Sequence, residues 1–353
     1  MLTYSFIFFI SCICSTLIYF LFIYLFYTFK ILDNPKKYWK KRKAIPYGIG
    51  ITFFLIFFLV SFFFMEHEYK LYLIWFFWAF VSIVSFLDDR MNVSPKIRLF
   101  IQIFIGMIIW LTSIKIGYVS NIFWGIIDLE TIFIEVLSFR IYLVPLIFTI
   151  IWYVFVFNAL NWTDGITGNT SLLSLICFIV IFLLGLKLYF SDIYAWGVEN
   201  AKFIMQMSLI LISMLFVYIF LDLKEKVLMG DAGTMFLGFM LATLAIIAGG
   251  KIATVLAVFW IYAVDAVYVV VRRIVRKKNP LTGDYTHLHH RLLEIGLTEK
   301  QVLTLIASLS FIFGFTALFL ETLGKIVVFC IIICFVLLLS YIGERVKKIH
   351  FKK

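Results

Sequence analysis

The sequence predicts an all-α polytopic membrane protein, a bundle of about eleven transmembrane helices that carries its chemistry on one face. Three observations lead there. Of 353 residues, 64% are hydrophobic and only 14% charged, more apolar surface than one or two soluble cores can hide. The apolar residues come in runs near the roughly 20 residues a helix needs to cross hydrocarbon. The basic residues fall between the runs, and with the first residue outside, 24 of the 31 Lys and Arg lie on the inner side, as the positive-inside rule requires.

The predicted spans are 4–29, 47–65, 71–87, 98–116, 141–157, 169–187, 201–221, 235–249, 252–271, 301–320 and 325–343, within one membrane domain covering 1–353. The opening run, Tyr4 to Phe29, has no basic residue before it and reads as a retained helix rather than a cleaved leader. Between the fourth and fifth spans, Gly117 to Arg140 mixes β-branched residues with Gly and acids, which predicts a short hairpin at the membrane surface. Cys12, Cys14, Cys177, Cys330 and Cys334 all lie within apolar runs, which suits small buried hydrophobes and not a disulfide or zinc framework. The net charge of +11 is scattered through short connections. It reports topology and anionic lipid, and no nucleic-acid partner is expected. The predicted location is the plasma (inner) membrane, multi-pass, with the N-terminus outside and the C-terminus cytoplasmic.

Four polar islands fall on the inner face. Asp88-Asp89 closes the third span. Two carboxylates at a helix C-terminus oppose the macrodipole and call for a cation. Arg90, Lys96 and Arg98 could supply it, or the pair could bind Mg²⁺ or accept a proton. The second island, Asn158 to Gly168, sets Asn158, Asn161 and Asp164 at three-residue spacing, with Gly165 and Gly168 for a turn. Amides and an acid on one face suit a base or sugar; an ordinary turn accounts for the glycines but not for Asn158. The third, Gly230-Asp231-Ala232-Gly233-Thr234, leads into the eighth span. Free N–H groups, a flexible backbone and one hard oxygen ligand suit phosphate with Mg²⁺, although Asp231 or Thr234 could also serve as an N-cap. The fourth runs from Thr282 to Arg291 and includes His287-Leu288-His289-His290-Arg291. Adjacent His289 and His290 diverge on a helix and no thiolate is near, so diphosphate binding with Arg291 is favoured over zinc.

These islands, in this order, resemble the polyprenyl-phosphate N-acetylhexosamine-1-phosphate transferase family, over nearly the whole chain. The stretch from Asp33-Asn34-Pro35 through Arg42 to Gly50 is similar to that family's first cytoplasmic loop, and His-Leu-His-His-Arg is similar to its WecA/TagO branch rather than to the MraY branch. The resemblance implies a ten- or eleven-helix bundle with a cytoplasmic active-site cleft, usually dimeric. It implies transfer of a sugar-1-phosphate, with N-acetylglucosamine the default sugar, from a UDP-sugar to polyprenyl (undecaprenyl) phosphate with release of UMP. That is a first membrane step toward lipopolysaccharide or teichoic acid. The cofactor expected is Mg²⁺, with Mn²⁺ as a substitute.

Carried over by position, the resemblance implies that Asp231, with Asn161, holds the metal, and that Asp88 and Asp89 stand near the lipid phosphate. Asn158, Asn161 and Asp164 belong to the donor pocket. His287, His289, His290 and Arg291 hold the diphosphate. On electrostatic grounds, the basic residues Lys30 to Lys43 raise the local concentration of the anionic donor. Two positions depart from the family: Thr167 where many members repeat Asp before Gly, and Leu228 where many carry an aromatic residue. Asp265, inside the ninth span, reads equally as a functional acid and as an ion-pair partner of Arg272 or Arg273. A pentapeptide transferase is the nearest alternative. A transporter is disfavoured because the polar residues gather at one interface, not at the midplane.

Overall fold

A computed structural model describes residues 2–35, 42–91, 93–112, 114–121, 125–136, 139–191, 195–249, 252–275, 277 and 287–350. They form a polytopic, all-α membrane protein. Twelve helices are described: α1 (Leu2–Thr28), α2 (Ile51–Phe64), α3 (Tyr69–Met91), α4 (Pro95–Leu111), α5 (Leu143–Asn161), α6 (Asn169–Ser191), α7 (Ala195–Asp222), α8 (Gly230–Ile247), α9 (Ile252–Val275), α10 (Leu288–Glu294), α11 (Glu299–Ala317) and α12 (Thr322–His350). Each of the eleven predicted spans falls on one of them, and α10 is a short addition after the ninth. Among the described residues, nine helices are long and apolar enough to cross a membrane.

Besides α10, with 7 residues, two helices fall short, both for visible reasons. α2 has 14 residues, about 21 Å of helix at 1.5 Å per residue. The segment before it is drawn into bridges, Leu32 with Pro46 and Tyr47 with Leu228, so residues 47–50 cannot join the helix. α4 has 17 residues and opens on Pro95 after Ser94, a start that suits proline because the first N–H is unpaired anyway. Between α4 and α5 stand two antiparallel hairpins, where one was predicted. The first pairs β1 (Tyr118–Ser120) with β2 (Ile126–Asp128), the second β3 (Phe133–Val136) with β4 (Phe139–Tyr142).

α8 is the axis of the bundle, buried from Gly230 to Ile246 apart from Asp231. Lipid gives no hydrophobic drive to helix association, so close backbone approach has to supply the packing. The sequence provides for this at the start of α8. A Cβ on Gly50 would sit 2.2 Å from the Gly233 nitrogen, so two glycines let α2 and α8 meet backbone to backbone. α3 and α5 pack along α8, and α1, α2 and α6 along α7, while α11 and α12 flank α9. α1 and α12 leave large apolar residues exposed, among them Phe9, Leu17 and Ile331, as lipid-facing helices do. The described residues of the connections α1–α2, α3–α4, α5–α6, α7–α8 and α9–α10 lie at one end of the bundle, hereafter the polar face.

Candidate active site

The site forms where α3, α4, α5 and α8 meet at the polar face. Asp231 stands in the first turn of α8, within the glycine-flanked motif, so the motif is the helix start rather than a loop leading to it. Two groups from other helices hold the Asp231 carboxylate. Asn161, the last residue of α5, donates from Nδ2 to Asp231 Oδ1 at 2.8 Å and to Thr234 Oγ1 at 3.1 Å. Arg98 of α4 approaches with Nη1 2.8 Å from Asp231 Oδ2. The same guanidinium places Nε 2.6 Å from Asp88 Oδ2, so one arginine bridges carboxylates of α3 and α8. Asp88 also accepts the Val93 N–H at 2.8 Å.

The adjacent Asp89 is neutralised differently. Its carboxylate accepts the backbone N–H of Asp231 at 2.8 Å and of Ala232 at 3.2 Å. It therefore caps α8 from another helix and sits at the positive end of that dipole. Gly230 permits this approach: its φ is +68° and a Cβ there would lie 2.5 Å from Asp89 Oδ2. Arg90 does not pair with the acids. It donates to the Tyr47 carbonyl at 2.8 Å and lies over the Phe86 ring.

The Asn158–Gly168 island divides by role. Asn158 donates to Gln102 Oε1 and to the Val154 carbonyl, both at 2.7 Å, and so joins α5 to α4. Asp164 lies beyond the end of α5, where Trp162 is the C-cap, and its side chain is exposed at the polar face. Surrounding protein raises its carboxyl well above the ordinary range, and the carboxylates of Asp222, Asp231 and Asp89 push it further. Solvent reaches this group, so the like-charged neighbours are the part of that shift with consequences. They make the cleft a place for a cation.

The histidine segment reaches the site through Trp162, whose ring stacks on His287 at 5.5 Å. Asp265, fully buried in α9, organises the segment: it accepts from Arg291, from the Leu288 N–H at 2.9 Å and pairs with His287 Nδ1 at 3.0 Å. Arg291 also lies over the Tyr268 ring. His289 is buried, with neither ring nitrogen hydrogen-bonded. Burial, then His290, His287 and Arg291, push its pKa down to about 3, so it is neutral at pH 7. A Cβ on Gly165 would sit 2.2 Å from His289 Nε2, so only glycine lets the two islands touch. His290 follows, its ring 4.2 Å from that of His289. Thr282 to Thr286, read as part of this island, lie outside the described residues.

At the rim, Arg42 pairs with Asp33 at 2.8 Å and with Glu225 at 3.4 Å, and Thr167 donates to Glu225 at 3.1 Å. Lys43 is exposed beside Arg42. Leu228 works through its backbone, donating to Pro46 and accepting from Gly48 and Ile49, contacts open to any side chain. The two departures noted in the sequence thus lie on one seam between the first loop and the α7–α8 turn. Missed in the sequence were Arg98 as a bridge between two acids and Asp265 as the anchor of the histidines. A signal for Arg98 did exist: Arg98 and Gln102, four apart at the start of an apolar helix, must face protein.

Among the described residues, no three His, Cys, Asp or Glu side chains converge as a ready-made metal site. A divalent cation nevertheless fits. The Arg98 guanidinium already stands between Asp88 and Asp231, so this is a place for positive charge, and Mg²⁺ characteristically takes one or two carboxylates and completes its shell with substrate phosphates and water.

Comparison with known proteins gives the family of the chain. The sequence profile of glycosyl transferase family 4 matches residues 71–249, from α3 through the end of α8. A Bacillus subtilis (strain 168) protein named "Probable undecaprenyl-phosphate N-acetylglucosaminyl 1-phosphate transferase" is 29% identical over 268 residues, 72% of this chain and 68% of the relative. Proteins named undecaprenyl-phosphate alpha-N-acetylglucosaminyl 1-phosphate transferase are 26% identical in Escherichia coli O157:H7, over 75% of this chain and 71% of the relative, and 29% identical in Yersinia pestis, over 78% and 73%. The profile covers half of the sequence and all four helices that build the acidic site: this chain belongs to glycosyl transferase family 4.

Proposed function

We propose that this chain transfers N-acetylhexosamine 1-phosphate from a UDP-sugar to undecaprenyl phosphate, releasing UMP, at the inner face of the plasma membrane. The observation that carries this reading is the meeting of Asp88, Arg98, Asn161 and Asp231 from four helices at one end of the bundle. Acceptor phosphate lies at headgroup depth, which is where helix ends deliver these side chains. The relatives' names favour this transfer over a pentapeptide transferase and over transport.

In this reading the acceptor phosphate oxygen attacks the donor β-phosphorus and UMP departs. Reactions of this type need positioning and charge neutralisation more than covalent help. Mg²⁺, held by Asp231 with Asn161 beside it, supplies charge neutralisation for the donor diphosphate when bound. Arg98, the only cation in contact with Asp88 and Asp231 among the described residues, is set to meet a phosphate once it leaves the carboxylates. Neutral His289 offers a hydrogen bond without charge. Asp89 fixes the α8 terminus and thereby the direction of the Asp231 side chain, which makes it a positioning residue.

The test is a transfer assay on purified protein with undecaprenyl phosphate, UDP-N-acetylglucosamine and Mg²⁺. The expected product is a lipid-linked diphosphate sugar, and Asp231→Asn lowers turnover by about 10²- to 10³-fold or more, the cost of losing one electrostatic stabiliser. Free phosphate as the product, or an Asp231→Asn variant with unchanged turnover, contradicts the proposal.

A further inference from the structure

A large cavity lies on the opposite face from the acidic site. It occupies about 980 Å³ between the first hairpin, the nearby ends of α5, α6 and α9, and the turn from α11 into α12. One wall is aromatic: Trp152, Phe155, Trp260 and Phe329 line it, with Trp260 stacked on Phe329 at 4.6 Å. α9 is interrupted at Phe259, beside this wall. Two lysines stand at the cavity. Lys187 of α6 donates to the Leu318 carbonyl at 2.7 Å, and Lys325 of α12 donates to Thr254 at 2.8 Å.

The cavity is open to the surroundings of the bundle and not sealed, so in the membrane it is filled. Its filler has to satisfy both an apolar aromatic wall and a cationic margin. The sequence assigns seven of the 31 basic residues to this side, and two of them, Lys187 and Lys325, line this cavity. With Glu321 the only acid among the described lining residues, these carry a net charge of +1. Water or a soluble anion satisfies the lysines but not the wall, and an uncharged hydrocarbon the reverse.

We propose that this cavity binds an anionic glycerophospholipid from the adjacent leaflet. One acyl chain lies along Trp152, Phe155, Trp260 and Phe329, and the phosphate lies against Lys187 and Lys325. The site is independent of the acidic centre, since it lies at the other end of α5 and α9. Its occupant ties α12, which is otherwise largely exposed to lipid, to α6 and α9.

The experiment is native mass spectrometry of the full-length detergent-solubilised protein, titrated in parallel with phosphatidylglycerol and with phosphatidylcholine, which carries no net charge. A lysine near an anionic headgroup is worth about fivefold in affinity, and two about 25-fold. The wild type is expected to retain one phosphatidylglycerol in preference to phosphatidylcholine. Lys187→Gln/Lys325→Gln, which keeps side-chain hydrogen-bond donors to Leu318 and Thr254, loses that preference by about 25-fold. Ala253→Trp, built into the cavity lining, lowers retention of both lipids. The basic polar face also attracts anionic lipid, so the difference between wild type and double variant is what decides. Equal retention of the two lipids by the wild type, or a preference unchanged in the double variant, overturns the proposal.

Discussion

Arg98→Ala tests whether the arginine and a divalent cation compete for the same oxygens. In the structure its guanidinium lies 2.6 Å from Asp88 and 2.8 Å from Asp231. The two carboxylates are 7% and 20% exposed, whereas the arginine is 33% exposed. Removing one partner from a buried ion pair costs about 3–5 kcal/mol, and an exposed pair is worth about 0–1 kcal/mol. The solvent-facing third of Arg98 puts its removal between these, at about 1–3 kcal/mol. Without a metal the variant should therefore unfold at a lower temperature than wild type. A cation entering the wild-type site has to displace Arg98 first, which weakens its apparent binding by the same amount. Mn²⁺ should then bind Arg98→Ala about 5- to 150-fold more tightly than wild type. Raising Mn²⁺ or Mg²⁺ should lift the melting temperature of the variant more than that of wild type, closing the gap seen in chelator. Electron spin resonance of free Mn²⁺ and thermal unfolding read these effects without turnover. Equal or weaker Mn²⁺ binding in the variant would refute the competition.

Other perturbations address the histidine segment. Asp265→Asn removes the anion shared by Arg291 and His287, and should cost about 3–5 kcal/mol; an unchanged melting temperature in detergent contradicts this anchor. Gly165→Ala places a methyl group against His289 and should cost about 1–3 kcal/mol through overpacking, with weaker UDP-sugar binding by calorimetry; wild-type affinity and stability argue against the contact. His289 titrates near 6.5 when unfolded and is pushed down to about 3 when folded. The stability this neutral imidazole contributes is full above pH 6.5 and is lost as pH falls toward 3, by up to about 1.4 kcal/mol per pH unit. In unfolding measured between pH 7 and pH 4, His289→Gln should show a shallower loss than wild type, and parallel profiles would remove the effect from His289.

The spans were legible because a run of about 20 apolar residues has few soluble uses, and the placement of Lys and Arg fixed their parity. Boundaries slipped where tertiary contacts intervene. Residues 47–50 were assigned to a span by apolarity, but Leu228 draws Tyr47, Gly48 and Ile49 into backbone pairing. α8 begins at Gly230 and not near 235, because Asp89 of α3 supplies the cap that Met229, at the N-cap position, cannot. The need of Asp88-Asp89 for positive charge also followed from the sequence, through the helix dipole. Arg98 was among the three cations the sequence offered, but its bridge to Asp231 was not legible, nor was the helix terminus 142 positions away that Asp89 uses. Spacing within the islands predicted less. Asn158, Asn161 and Asp164 share a spacing, yet one binds Gln102, one holds Asp231 and one lies beyond the helix end. Partners far apart in the chain decide these roles, and local periodicity does not encode them.

The central claim is that the bond broken lies between the two phosphates of the donor. UDP-N-acetylglucosamine labelled with ³²P in its β-phosphate, given to the purified protein with undecaprenyl phosphate and Mg²⁺, tests this directly. The label is expected to enter the lipid fraction while unlabelled UMP appears in equal amount. Label retained in soluble UDP while sugar enters the lipid would instead mean glycosyl transfer, and label released as inorganic phosphate would mean hydrolysis; either contradicts the account.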